Sequence, residues 1–289
     1  MKRAATIILK SFLLFVAALL LPPACYGQDK EKPRAVSLDY CADQFLLALA
    51  DRGQIMALSR DAVAPHSFYR ARAMGLPLFG ATAEEVLHMA PDIVIRNWGG
   101  FTMLPFLKQA GIPVVTARYG AGPDTVFDNM HRVGVALDQQ PRAQQMIDKI
   151  RQSLVKIKNR AARNPLLNHR LRTAYIAPGG ITAGKNTFVD NIIKLAGLLP
   201  VAEQLGLNGW QPLPLEALIQ KSPDLIITSF FNQDDIHISG WSLTRHHRIR
   251  KMLDTIPTIM VPGRYLSCNG SFTVEAAAYI QDEVERLFK

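Results

Sequence analysis

Two stretches decide the fold: residues 84–95, EEVLHMAPDIVI, and residues 216–227, EALIQKSPDLII. Each opens on a glutamate, runs through a short helix, stops at Pro-Asp and continues as an aliphatic run. The interval from glutamate to proline is seven residues in both. The logic is local. An acid favours a helix N-terminus, proline ends the helix, and an unbroken aliphatic run suits a strand buried on both faces. A repeat of this length, half a chain apart, predicts two similar lobes.

The sequence around each copy agrees. Short aliphatic runs at residues 34–38, 55–58, 92–96 and 113–117 alternate with helical segments at 42–50, 83–89 and 104–110. The alternation returns after residue 165, with strands at 173–177, 224–228 and 259–261 and helices at 188–196, 215–220 and 273–288. Strands separated by helices of about ten residues predict parallel βα units. Between the halves the pattern changes. Ala143, Met146, Ile147, Ile150, Leu154 and Ile157 recur at steps of three and four, with Arg142, Lys149, Arg151, Lys156 and Lys158 mostly off the stripe. That predicts one amphipathic helix, about 30 Å long at the helical rise. The expected fold is α/β: two Rossmann-like lobes with mainly parallel sheets, one long linking helix, and a ligand cleft between the lobes.

The N-terminus carries Lys2 and Arg3, an apolar run over residues 11–21, then Pro22, Pro23 and the small residues Ala24 and Gly27. This is the layout of a secretory signal peptide, and the apolar run is too short to span a bilayer comfortably. Cleavage is expected after Gly27, with Ala24 or lipidation at Cys25 as alternatives. The expected organisation is a signal peptide at 1–27, an N-terminal lobe at 28–138, the linking helix at 139–164 and a C-terminal lobe at 165–289. The formal charge of +9 falls to +6 when Lys2, Arg3 and Lys10 leave with the signal. No basic patch interleaved with aromatics points to nucleic acid, and nothing signals an oligomer, so a monomeric exported protein is expected. Export places Cys41 and Cys268 in an oxidising compartment.

On these residues the chain resembles the periplasmic binding proteins for cobalamin and ferric siderophores, whose two lobes share one rigid helix. The resemblance is carried by VSLDYCADQFLLALA (36–50), EEVLHMAPDIVI (84–95), GIPVV (111–115), ITAGKNTFVDNIIKLAG (181–197) and GWQPLPLEALIQKSPDLIIT (209–228). It implies a receptor for an ABC importer, with a metal chelate as ligand, a permease and its ATPase as partners, and no cofactor of its own. It implies that Glu84 and Glu216, one on each lobe, dock onto the permease; read from spacing alone they are helix-start acids. Trp210 matches a ligand-stacking tryptophan, and Trp98 falls one residue from another. Tyr40, Phe68 and Tyr69 follow expected strands and join them as cleft aromatics. Arg96 and Arg118 end strands, where side chains reach the cleft of an α/β fold, and suit anionic oxygens. The family's tryptophan just before the first glutamate motif is missing, with Leu78 and Phe79 there instead, so the ligand need not be cobalamin.

Cys41 and Cys268 leave three readings open: an inter-lobe disulfide, thiols that touch a metal together with His66, or two buried unpaired residues. The histidines (His66, His88, His131, His169, His237, His246 and His247) show no metal-ligand spacing, and a receptor for free zinc or manganese is the alternative function. An enzyme is not expected. The Gly184–Lys185 region falls short of a phosphate loop, because Gly180 to Gly184 is one residue too close and Asn186 follows the lysine. There is no Gly-x-Ser-x-Gly elbow, and an exported hydrolase remains only a distant alternative.

Overall fold

The structure is a computed structural model that describes residues 31–168, 170–220, 222–230, 251–252 and 254–289. The expected signal peptide, His169, His237, His246 and His247 lie outside the described residues.

The first lobe is built on β1 (Ala35–Ser37), α1 (Tyr40–Leu49), β2 (Ile55–Ser59), β3 (Leu78–Phe79), α2 (Ala83–Met89), β4 (Ile93–Arg96), α3 (Leu104–Gln109), β5 (Val114–Thr116) and α4 (Pro123–Ala136). Its five strands pair in the order β3-β2-β1-β4-β5, all parallel. Side chains alternate between two cores, as strand geometry requires. Ala35, Ile93 and Ile95 enter the core under α1 and α4. Val36 and Val94 enter the other, with Val86 of α2 and Leu107 of α3.

The long helix α5 (Gln140–Arg163) follows. Its single buried stripe is divided. Ala143, Ile147, Ile150 and Leu154 pack into the first lobe, and Ile157 and Ala161 pack into the second. The second lobe comprises β6 (Arg172–Ile176), β7 (Ile181–Ala183), α6 (Phe188–Leu195), β8 (Leu199–Pro200), β9 (Trp210–Pro212), α7 (Leu215–Gln220), β10 (Leu225–Phe230), β11 (Thr258–Pro262) and α8 (Thr273–Leu287). Its main sheet runs β11-β10-β6-β8, again parallel. Strands β7 and β9 form a separate antiparallel pair. The sequence shows no strand signal for these two, nor for β3 and β8. Among the described residues no helix is long and apolar enough to cross a membrane.

The repeated Pro-Asp does the same job in both lobes. The Asp92 N–H donates to the Arg34 carbonyl at 3.0 Å, and the Asp92 carboxylate accepts the Arg34 N–H at 2.8 Å. Asp224 repeats this with Arg172, also at 2.8 Å. Each aspartate thereby registers its strand against the neighbouring one. In the first lobe Glu84 and Glu85 both lie in the first turn of α2. Glu85 forms a capping box with Thr82, and Glu84 stays exposed.

Asp43 of α1 is fully buried between Ser37 of β1 and Ser59 of β2. Both serine hydroxyls donate to it, Ser59 at 2.5 Å, and the Ser59 N–H donates at 3.1 Å. Burial pushes its carboxyl up to about 7, against the pull of these hydrogen bonds and with a small push from Asp39. A pKa raised by folding stabilises the protein at low pH and loses that contribution as pH rises through the folded value. Unfolding measured by denaturant should therefore show stability falling between about pH 4 and pH 7, by at most about 4 kcal/mol for this group. Asp43→Asn should flatten that slope.

Candidate functional site

Parallel sheets gather ligands where neighbouring strands send their chains to opposite sides. In the first lobe that point lies between β1 and β4, and in the second between β6 and β10. The loops leaving these strands face one another across a cavity of about 450 Å³.

Among the described residues six aromatics line it, three from each lobe: Tyr40, Trp98 and Tyr119, then Tyr175, Phe188 and Trp210. Tyr40 and Trp98 meet edge-on with centroids 5.7 Å apart. Trp210 stands edge-on to Tyr175 at 6.2 Å and to Phe188 at 5.9 Å. Across the opening, Trp210 Nε1 donates to the Tyr119 hydroxyl at 3.3 Å. Trp98, Tyr119 and Trp210 still keep 58%, 61% and 42% of their surface exposed. Such open aromatic faces are sticky surfaces in water, and an apolar ligand would cover them.

Arg118 is the one charged residue in the described lining. Its position is set by the backbone. Buried Asn129 of α4 accepts the Arg118 N–H at 2.7 Å and donates to its carbonyl at 2.8 Å. Asn97, Asn269 and Ser229 add polar groups to the lining, and the Ser229 hydroxyl is buried without a hydrogen-bond partner. Trp210 is presented by the β7–β9 pair. A Cβ on Gly184 would stand 2.5 Å from the Leu207 carbonyl, so that turn needs glycine for close approach. Gly184 is the glycine that, with Lys185, superficially suggests a phosphate loop.

The lobes are joined beside the cavity. Cys41, at the start of α1, and Cys268, before α8, form a disulfide with Cα atoms 5.6 Å apart, and both line the cavity. Phe68 stacks on Phe272 at 4.4 Å. Tyr69 and Ser271 share a hydroxyl hydrogen bond of 2.7 Å. The Ser267 hydroxyl donates to the His66 carbonyl at 2.9 Å, and the Asn269 amide to the Gly120 carbonyl at 2.8 Å.

The sequence pattern of the periplasmic binding protein family matches residues 36–235. The chain belongs to this family. An uncharacterized ABC transporter substrate-binding lipoprotein of Bacillus subtilis, YvrC, is 22% identical over 237 residues, 76% of this chain and 72% of its own. The cobalamin-binding protein of Halobacterium salinarum is 26% identical over 203 residues, 69% of this chain and 54% of its own, so the match spans about half of that relative. The periplasmic heme-binding protein RhuT of Roseiflexus sp. RS-1, solved in apo form, superposes with a TM-score of 0.71 at 20% identity, over 90% of this chain and 100% of its own. At that identity the likeness speaks for the fold.

Several residues of this binding protein sit where the sequence did not put them. Arg96 is absent from the lining. Its guanidinium turns back to the carbonyls of Gly99 at 2.7 Å and Trp98 at 3.2 Å. Tyr69 and Phe68 belong to the inter-lobe seam instead of the cavity wall. The metal reading of Cys41, Cys268 and His66 fails, because the two sulfurs are bonded to each other and the His66 ring packs edge-on against Tyr40 at 5.0 Å. Tyr119 lines the cavity beside Arg118, as its place at a strand end implies, whereas nothing in the sequence singles out Tyr175, Phe188 or Asn269. Tyr175 lies inside an aliphatic strand, and Phe188 opens a helix, so both read as core.

The disulfide closes a loop of 227 residues, and loss of a link that long typically costs about 2–5 kcal/mol. Replacing both cysteines by serine should lower the thermal midpoint by several degrees. An equal midpoint in the serine variant and the oxidised protein would show that the bond contributes nothing.

Proposed function

We propose that this protein is the periplasmic receptor of an ABC importer and that its cargo is a flat metal chelate, a macrocycle of the heme or corrin type or a compact ferric siderophore. The observation that carries this reading is the pair of facing aromatic clusters with Arg118 in the same described lining. A flat, largely apolar ligand with anionic oxygens is what such a surface complements. Aromatic faces offer contact area at little entropic cost. Arg118 supplies a planar, permanently charged donor for carboxylate, hydroxamate or phosphate oxygens. The names of two similar proteins, one binding cobalamin and one heme, support the chemical class.

Delivery uses the exposed pair Glu84 and Glu216, one at the head of α2 and one at the head of α7. Carboxylates on opposite lobes meet arginines of a permease and orient the encounter. The lobes carry two covalent connections, α5 and the disulfide, so release proceeds by a limited rotation. A signal peptide at the N-terminus exports the chain.

The test is a thermal-shift and fluorescence-quenching panel of hemin, cyanocobalamin, several ferric siderophores, Zn²⁺ and Mn²⁺. A saturable shift with one chelate is expected, because a ligand that binds only the folded state raises stability. Shifts confined to the bare ions, or none, would overturn the reading. With that chelate, Trp210→Ala and Arg118→Ala should each weaken binding by roughly tenfold or more. Replacing Glu84 and Glu216 together by alanine should leave affinity unchanged and reduce uptake in cells. Lost affinity with intact uptake would contradict the division between binding and docking.

A further inference from the structure

We infer that Asp39 is the positioning residue of the binding wall: one buried carboxylate that sets both Tyr40 and Trp98 where a ligand meets them. The inference rests on the cleft being the binding site, as proposed above.

Asp39 is 2% exposed, and its carboxylate serves two elements at once. Oδ1 accepts the Ala42 N–H at 2.9 Å and caps α1. Oδ2 accepts three consecutive N–H groups of the loop after β4: Asn97 at 2.8 Å, Trp98 at 3.2 Å and Gly99 at 2.8 Å. Successive N–H groups turned to one point form a concave anion site, and here a side chain of the same lobe fills it. The approach is close. A Cβ on Gly99 would stand 2.8 Å from the Leu38 carbonyl and 2.9 Å from the Asp39 Cβ, so only glycine lets the loop settle there.

The other side of that loop is braced by the opposite charge. Arg96 donates to the Trp98 and Gly99 carbonyls, and the Asn97 amide donates to the Ala117 carbonyl at 2.8 Å. The Trp98 backbone is thus held between a carboxylate on its N–H groups and a guanidinium on its carbonyls. Among the described residues no comparable anchor holds the Trp98 ring. It is more than half exposed, and its ring partner is Tyr40. Tyr40 directly follows Asp39 as the first residue of α1. Both rings therefore take their place from the same carboxylate, and without it the wall would have to be ordered by the ligand, at a cost to affinity.

The test uses two readouts. Asp39→Ser keeps a side chain that caps α1 and is too short to hold the loop as well. In a background with Trp210→Phe and Trp241→Phe, Trp98 is the sole tryptophan, and acrylamide quenching and anisotropy of the unliganded protein report its order. With all three tryptophans present, hemin titration and release report affinity. Asp39→Ser should make Trp98 more quenchable and less anisotropic, and should weaken hemin roughly tenfold, mainly through faster release. Phe45→Leu, a core change in α1, is the control; it should lower the thermal midpoint and leave both readouts in place. Unchanged Trp98 quenching in Asp39→Ser, or the same change in Phe45→Leu, would overturn the inference. Failure of the parent protein to bind hemin would count against that choice of cargo, and the Trp98 readout would still judge Asp39.

Discussion

The arrangement of the site depends on one covalent contact between lobes, the Cys41–Cys268 disulfide, and on the packing around it. Cys41 is the second residue of α1 and Cys268 precedes α8, so the bond ties the start of a first-lobe helix to a second-lobe loop. Phe68 on Phe272, Tyr69 on Ser271 and Ser267 on the His66 carbonyl extend the contact. A parallel sheet exposes its ligand-binding loops only at one edge. Two such edges form a cavity when something holds them face to face. The long helix does so through a stripe shared between two cores, and the disulfide does so at the cavity wall itself.

A hollow of about 570 Å³, slightly larger than the cleft, lies at the opposite ends of the strands, by the end of α1 and the start of β2. The three arginines of its described lining already have partners, Arg72 donating to the Leu47 carbonyl at 3.2 Å. Arg52 donates to the carbonyls of Arg72 and Met74, and Arg142 binds the Leu49 carbonyl and Asp51. Size alone therefore does not choose the site. The aromatic cleft stands out by half-exposed rings and a buried, unpartnered hydroxyl, which leave chemistry for a ligand to complete.

Much of the fold was legible because its signals are local. The Pro-Asp repeat marks where a helix ends and a buried strand begins, and the structure adds that Asp92 and Asp224 register those strands on Arg34 and Arg172. The stripe of α5 was legible for the same reason, since its period follows from helix geometry. A strand of two or three residues carries no period of its own, and β3, β7, β8 and β9 went unread, whereas β1 and β5 were read within the longer runs 34–38 and 113–117. The site was legible in part. Tyr40, Trp98, Arg118 and Trp210 stand at the cleft because they follow strand ends or the family motif. Arg96 also ends a strand, but which way a long side chain turns depends on loop carbonyls that a sequence does not display. Tyr175 and Phe188 look like core in the sequence and partly are core, and only the juxtaposition of lobes gives them a ligand-facing edge. Asp39 was equally hidden, because its partners are backbone groups nearly sixty residues away.

The most direct measurement is the distribution of distances between the lobes, by pulsed electron paramagnetic resonance. Spin labels would be attached without cysteine chemistry at exposed Lys108 and Asp254. The oxidised protein would be compared with the variant carrying Cys41→Ser and Cys268→Ser. If the bond holds the two loop edges face to face, the oxidised protein gives one narrow distribution, and the variant gives a broader one that a bound chelate narrows again. Equal widths in the two proteins would contradict the account, and the long helix alone would then set the geometry of the cleft.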